Sequence, residues 1–387
     1  MPERTHHSHT RARYLGFVLL VTTLLWTSAA MAAEHVETVT RSFDGRSGRI
    51  VQLENLAGFV LLEGGGGEIQ VEAKIHGLGD SDAKARQMAQ QLEITFEERG
   101  DDVIVRANYP VREYSTYHYP GRGGRGGSSS TKYHDRRVKV VSKAKRGAAG
   151  LWADFVVRLP NGVGAAVRNA VGDVEAQEVN GPVGADTSSG RIQVEGGEGA
   201  VHADTGSGAV VVRNRVGDVH ADTGSGSVKM MAVTGSVNAD TGSGSVVLED
   251  VEGNSIRADT GSGGVTLRQV RGEIDADTGS GRVDGEGLVA RGRLRADTGS
   301  GGIDLAGDFT QVDSVELDAG SGSVRLTGVL PGMDLEVSTG SGGIDVNVSG
   351  LDIREKSKDE LRARSGDGRV PVRIDTGSGS VRIQEGG

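Results

Sequence analysis

The sequence predicts an all-β chain whose main body is a parallel β-solenoid of about ten rungs, and three observations predict it. The pentapeptide D-T-G-S-G begins at Asp204, Asp222, Asp240, Asp259, Asp277 and Asp297, with variants at Asp186, Asp318 and Ser338 and a return at Asp375; the steps through Ser338 are 18 to 21 residues. Apolar residues stand at fixed offsets on both sides of each copy. Gly makes up 63 of 387 residues while aromatic residues make up only 4%, so small aliphatic side chains must do the packing. A constant period of this size marks stacked units, each too small to bury its own apolar face. The rival is a meander of antiparallel hairpins turning at T-G-S-G, since hairpin turns also favour Gly; identical columns at identical offsets favour the solenoid.

In chain order, residues 1–32 read as a signal peptide: Arg4, Arg11 and Arg13, an apolar run from Leu15 to Trp26, and Ala30-Met31-Ala32 as a small-x-small cleavage site. The mature chain is expected to start near Ala33, outside the cytoplasm, in the periplasm or at the cell surface. No later stretch could cross a bilayer as a helix. The absence of Cys excludes disulfides, thiolate metal sites and cysteine nucleophiles.

Residues 33–108 form an entry module of the solenoid. Phe59 to Leu62 and Ile69 to Ala73 read as strands around the Gly64–Gly67 turn, a helix follows from Ser81 to Leu92 with Ser81 as its cap, and strands resume at Ile94 and Val103. Residues 109–150 change character. They hold every tyrosine of the mature chain, the run G-R-G-G-R-G-G-S-S-S and, from Arg112 to Arg146, ten Lys and Arg against Glu113 and Asp135. This composition predicts a flexible insertion with no core of its own.

Residues 151–350 carry the repeats. Val201, Val219, Val237, Ile256, Ile274 and Leu294 precede each Asp by three residues, and Val210, Val228, Val246, Val265, Val283 and Ile303 follow it by six. These columns face inward; by period-two alternation each Asp points out and the next Thr points in. A second apolar column is expected at Val216, Val233, Val251, Val270 and Leu288. Residues 351–387 read as a charged capping segment, with a short helix across the end of the stack, followed by a final rung at 370–383.

The Asp column is the first candidate for chemistry. Asp204, Asp222, Asp240, Asp259, Asp277 and Asp297 would stack about one strand spacing apart, where like charges repel by about 1 to 3 kcal/mol depending on the dielectric. Either each carboxylate accepts hydrogen bonds from the Gly and Ser N–H groups of its own turn, or a hard cation such as Ca²⁺ is held between rungs. His202 and His220 share the outward column two residues earlier, so their rings should be close, though two histidines make a poor metal site. No cofactor is expected.

The insertion is the candidate ligand-binding loop, through Tyr114, Tyr117, Tyr119, Arg122, Arg125 and Tyr133. Tyr, Arg and Gly are residues that adaptable recognition loops use, and they suit polyanions or sugar rings. A disordered linker without a partner is the alternative. No catalytic residues are expected: the repeated G-S-G belongs to turns, and the outward residues do not converge on an acid and base pair.

The opening N-L-A-G-F-V at Asn55–Val60, the F-V-V-R-L-P-N-G entry at Phe155–Gly162 and the A-D-T-G-S-G-S-V rungs resemble the bacterial putative-adhesin family, built on an exported β-solenoid domain of unknown function. The resemblance covers about residues 45–387 apart from the insertion. It implies a β-solenoid at or outside the cell envelope and brings no catalytic residues. The expected function is an adhesin-like binding or scaffold protein that is not an enzyme, meeting an envelope glycan, polyanion or protein and no nucleic acid. An envelope polysaccharide-active enzyme and a cation-stabilised structural rod are the alternatives.

Overall fold

The computed structural model describes residues 33–121 and 128–386. The expected signal peptide, Arg122 and Arg125 lie outside the described residues. The main body is the predicted parallel β-solenoid. On one sheet, here the Asp sheet, strands Val183–Thr187, Val201–Thr205, Val219–Thr223 and Val237–Thr241 stack in parallel, and Asp186, Asp204, Asp222 and Asp240 are direct register partners. The second sheet stacks Ile192–Glu195, Val210–Val216 and Val228–Thr234 in the same way. From Val246 on, single long strands such as Val246–Thr260 and Val265–Thr278 run along the second sheet, turn the corner and continue into the Asp sheet.

The two sheets face each other across ladders of small aliphatic side chains. Val201, Val219, Val237 and Ile256 oppose Val210, Val228, Val246 and Val265, all essentially without solvent exposure. Inward-facing Thr closes each pentapeptide turn. Thr241 Oγ1 donates to the Gly226 carbonyl one rung back at 2.6 Å and accepts the Gly244 N–H of its own turn at 3.1 Å. The same pair of bonds recurs at Thr205, Thr223, Thr260, Thr278 and Thr298. The second Gly of the pentapeptide is needed because rungs approach closely there: a Cβ on Gly244 would overlap the Gly226 carbonyl.

At the far corner Val233, Val251, Val270 and Leu288 are buried as expected, and Val216 alone of the second apolar column is not. Asn214, Ala232, Asp250 and Gln269 all take positive φ, near +53°. The residue that follows this left-handed one points inward. Val216, expected in the second apolar column, is 52% exposed, and fully buried Arg215 takes the inward position, level with Val233. Its guanidinium donates to the carbonyls of Val179, Gly181, Gly196, Glu198 and Gly199 at 2.6 to 3.0 Å, so the buried charge is surrounded by acceptors.

At both ends the chain re-enters the stack out of order. The rung made by Ile50–Ala57 and Val60–Gly64 lies between Asp102–Asn108 with Ala149–Leu159 on one side and Gly164–Val171 with Val174–Gln177 on the other. Antiparallel strands Glu93–Arg99, Glu68–Gly79 and Ala33–Asp44 close that end. The helix Asp82–Ala89, capped by Ser81, packs onto the side-chain-free surface of Gly77 and Gly79.

At the opposite end, Val370–Thr376 and Val381–Glu385 do not form the last rung. They insert between Ile303–Ala319 with Val324–Val329 and the rung of Met333–Thr339 with Ile344–Asn347. The segment expected to contain a helix is a hairpin of Asp352–Lys356 and Glu360–Arg364, whose second strand pairs antiparallel with Met333–Thr339. Antiparallel pairing gives this end a strand cap and makes a helix unnecessary.

Residues 109–150 also depart from expectation. Thr116–His118 pairs in parallel with Arg136–Val141, which forms a hairpin with Ser129–Tyr133 turning at His134 and Asp135. Tyr117, Tyr119 and Tyr133 are buried, and the Tyr117 and Tyr133 rings pack edge-on against Tyr109 at 5.4 and 5.7 Å. In its described part the insertion therefore has a core and extends the hydrophobic core of the entry module.

Candidate functional site

Two outward columns run side by side along the Asp sheet. The first begins Arg106, Glu54, Arg168 and then holds nine carboxylates in succession: Asp186, Asp204, Asp222, Asp240, Asp259, Asp277, Asp297, Asp318 and Asp375. The Asx-type caps offered as one alternative are not formed at Asp204, Asp222, Asp240 and Asp259: the N–H of the second turn Gly donates to Thr Oγ1, and that of the first Gly to the Thr carbonyl one rung back. Among the described residues, Asp204, Asp222, Asp240 and Asp259 accept no hydrogen bond. Partial burial, and then the neighbouring carboxylates, hold Asp204, Asp240, Asp259, Asp297 and Asp318 above the ordinary aspartate value of 3.8. Among the described residues no group of three or more His, Asp or Glu is arranged to hold a metal ion.

The second column, two residues earlier on each strand, runs Gln52, Ala166, Gly184, His202, His220, Asn238, Arg257, Asp275, Arg295 and Glu316. His202 and His220 stack face to face, 4.9 Å between centroids and 7° between planes, and His220 Nδ1 is 3.0 Å from the Asn238 amide nitrogen. Further along, charges alternate. Arg257 and Arg295 reach Asp275 at 3.0 and 3.2 Å. Partial burial pushes Asp275 up, but the hydrogen bonds from both arginines prevail and hold it below the ordinary range.

Where the second column shrinks to Ala166 and Gly184, the sheet surface opens into a groove of about 430 Å³. Gln52 and Ile104 border one end and His202 the other, with Arg168, Asp186 and Asp204 along the side. A second groove of about 440 Å³ runs beside His220, Asn238, Arg257 and Asp275.

Of the predicted loop residues, Tyr117, Tyr119 and Tyr133 are core residues and not a solvent-facing surface. Tyr114 is half-buried with its ring 6.4 Å from Tyr117. The Tyr133 hydroxyl donates to the Ala107 carbonyl, and burial raises its pKa. Composition misled here because Tyr serves a binding surface and a core with a polar edge equally well. The groove was missed, although the successive small residues Ala166 and Gly184 ahead of His202 are a visible gap in an otherwise long-chained outward column.

Residues 200–384 match the family model Toastrack DUF4097. The Toastrack match spans the D-T-G-S-G rungs from Asp204 onward, together with the inserted rung, in agreement with the putative-adhesin resemblance of the same motifs. Solved structures similar to this chain include three named as putative adhesion proteins. They are a cell adhesion protein from Clostridium sporogenes (10% identity, TM-score 0.18, covering 92% of this chain and 100% of that one), an adhesin from Parabacteroides distasonis (11%, 0.37, 89% and 97%) and an adhesin from Bacteroides fragilis (12%, 0.27, 90% and 97%). No curated protein matches. No helix among the described residues is long and apolar enough to cross a membrane.

Proposed function

We propose that this chain is an exported, adhesin-like binding protein of the bacterial cell envelope that works without catalysis, the solenoid serving as a rigid mount and its Asp sheet as the contact surface. The observation that carries this reading is the open groove over Ala166 and Gly184. Of the polar groups along it, Gln52, Glu54 and Arg106 are paired within the protein, whereas Arg168, Asp186, His202 and Asp204 make no hydrogen bond or ion pair among the described residues. Polar groups in such a position are available to a partner, and an open sheet surface suits a large or extended one. The Toastrack match and the basic, apolar leader support the same reading. Catalysis would instead call for an acid and a base converging in a cleft, whereas the Arg and Asp side chains near the second groove pair with each other.

Export is tested by fractionating the native cells and sequencing the N-terminus, with a start near Ala33 in the periplasmic or surface fraction as the expected result. Binding is tested by applying the labelled mature protein to intact cells and isolated envelope. Saturable retention supports the reading; a cytoplasmic protein with an intact leader, or turnover of envelope polysaccharide, refutes it.

A further inference from the structure

We propose that the groove over Ala166 and Gly184 is a binding site for neutral glycans, an assignment that rests on the adhesin-like reading and names its ligand class. The floor is the first argument. Ala166 and Gly184 are register partners on adjacent strands, so two consecutive rungs present backbone and a single methyl group where later rungs carry His202 and His220. Two strand spacings give a flat strip about 10 Å long, long enough for one sugar ring laid against the sheet. The stacked imidazoles of His202 and His220 stand at its end as a wall held by their mutual contact.

The second argument is the sign and state of the polar groups. Arg168 lies between Glu54 and Asp186 in the register of the first column, with Asp204 next. The guanidinium offers donors only and the carboxylates offer acceptors only. A sugar hydroxyl is both donor and acceptor and can use either neighbour, so a row of mixed sign suits a polyhydroxylated ring. A polyanion would face the run of carboxylates that starts at Asp186, and a polycation would face Arg106 and Arg168. A neutral glycan meets neither penalty, and its apolar C–H face fits the floor.

Gly184 supplies a clean test. A Cβ there makes only ordinary contacts, 3.6 Å to the Ala166 Cα and 3.7 Å to the Ala165 carbonyl, and its φ is not in the left-handed region, so Gly184→Ile fills the groove without straining the strand. Gly343, whose Cβ would meet nothing within 4 Å, gives the control Gly343→Ile on the last rung. The mature chain and the variants Gly184→Ile, Arg168→Ala and Gly343→Ile are titrated with maltohexaose, cellohexaose, mannohexaose and xylohexaose, with heparin and polygalacturonate as anionic arms, after circular dichroism and melting confirm folding.

The expected result is binding of at least one neutral oligosaccharide, weakened about tenfold or more by Gly184→Ile and by Arg168→Ala, as loss of a hydrogen bond to a charged group predicts, and unchanged in Gly343→Ile. Glycan binding that survives both groove substitutions, or that is confined to the anionic arms, overturns the assignment and leaves the adhesin-like reading standing. No binding to any glycan by a chain that still adheres to intact cells overturns the glycan class alone; no binding to glycans or cells overturns both.

Discussion

The Arg373 guanidinium lies 3.5 Å from the Glu336 carboxylate, and on its other side Arg373 is the register partner of Glu316. Read in sequence order, the outward column would set Glu316 beside Glu336. The inserted rung separates these like charges and continues the alternation through Glu336 to Arg362, which are 3.2 Å apart. Electrostatics and topology thus agree on an order of rungs that differs from the order of the chain.

A chain ending at Arg364 should lose more than the inserted rung. Met333–Thr339 and Ile344–Asn347 contact the rest of the stack through Val370–Thr376 and Val381–Glu385, so removing the latter strands the whole cap. Limited trypsin digestion followed by mass spectrometry is expected to cut residues 333–364 rapidly while residues 151–329 persist. A cap as resistant as in the full chain would mean that it docks by itself.

Replacing Thr241 by Val keeps the volume but removes both the donor to Gly226 and the acceptor for the Gly244 N–H. Leaving buried backbone groups unpaired is expected to lower stability by about 1 to 3 kcal/mol, read as a lower urea midpoint. Thr241→Ser keeps the hydroxyl and is expected to recover most of the loss.

Arg215→Met should cost about 3 kcal/mol or more, because it takes the donor away from five carbonyls at the far corner. The exposed neighbour Val216→Ser is expected to change little. Thermal melts of the two variants side by side check the contrast, and equal effects would refute the inward position of Arg215.

Mild acid should stabilise the rod. Asp240 faces Asp222 and Asp259 in its own column and His220 and Arg257 nearby; burial first, and then Asp222, raise its folded pKa. A carboxyl whose folded pKa lies above its unfolded value binds protons more readily when folded. The strain of the charged column is therefore fully present above the folded pKa and is relieved as pH falls toward 3.8. Melting temperature is expected to rise on going from neutral pH to just above that value, until ion-paired acids such as Asp275 protonate. Asp240→Asn should melt higher than the native chain at pH 7 and depend less on pH, and added NaCl should narrow the gap between them.

Much of this architecture was legible in the sequence, because Val201, Asp204, Thr205 and Val210 and their equivalents repeat at one spacing and a parallel stack turns equal offsets into neighbours. The stacked His202 and His220 were readable for the same reason. What was hidden depends on contacts that no period encodes. Five carbonyls, those of Val179, Gly181, Gly196, Glu198 and Gly199, let the charged Arg215 take the inward position that Val233 holds one rung later, which leaves Val216 outside. Val370–Thr376 carries the same consensus as every other rung, so nothing local in it says between which two strands it belongs. The tyrosines of the insertion found Asn55, Ala57 and Ala107 as partners far away in the chain, and composition alone does not reveal distant partners.

The return of the chain into the stack at both ends also governs how such a rod can change in evolution or by design. A repeat appended outside Asp102–Asn108 or beyond Met333–Thr339 would collide with an antiparallel cap, whereas deleting or duplicating one 18-residue unit between Asp204 and Asp240 leaves every ladder in register. Reach is therefore an internal variable of this molecule, adjustable in whole steps of one strand spacing while the two ends, and the groove near one of them, stay constant.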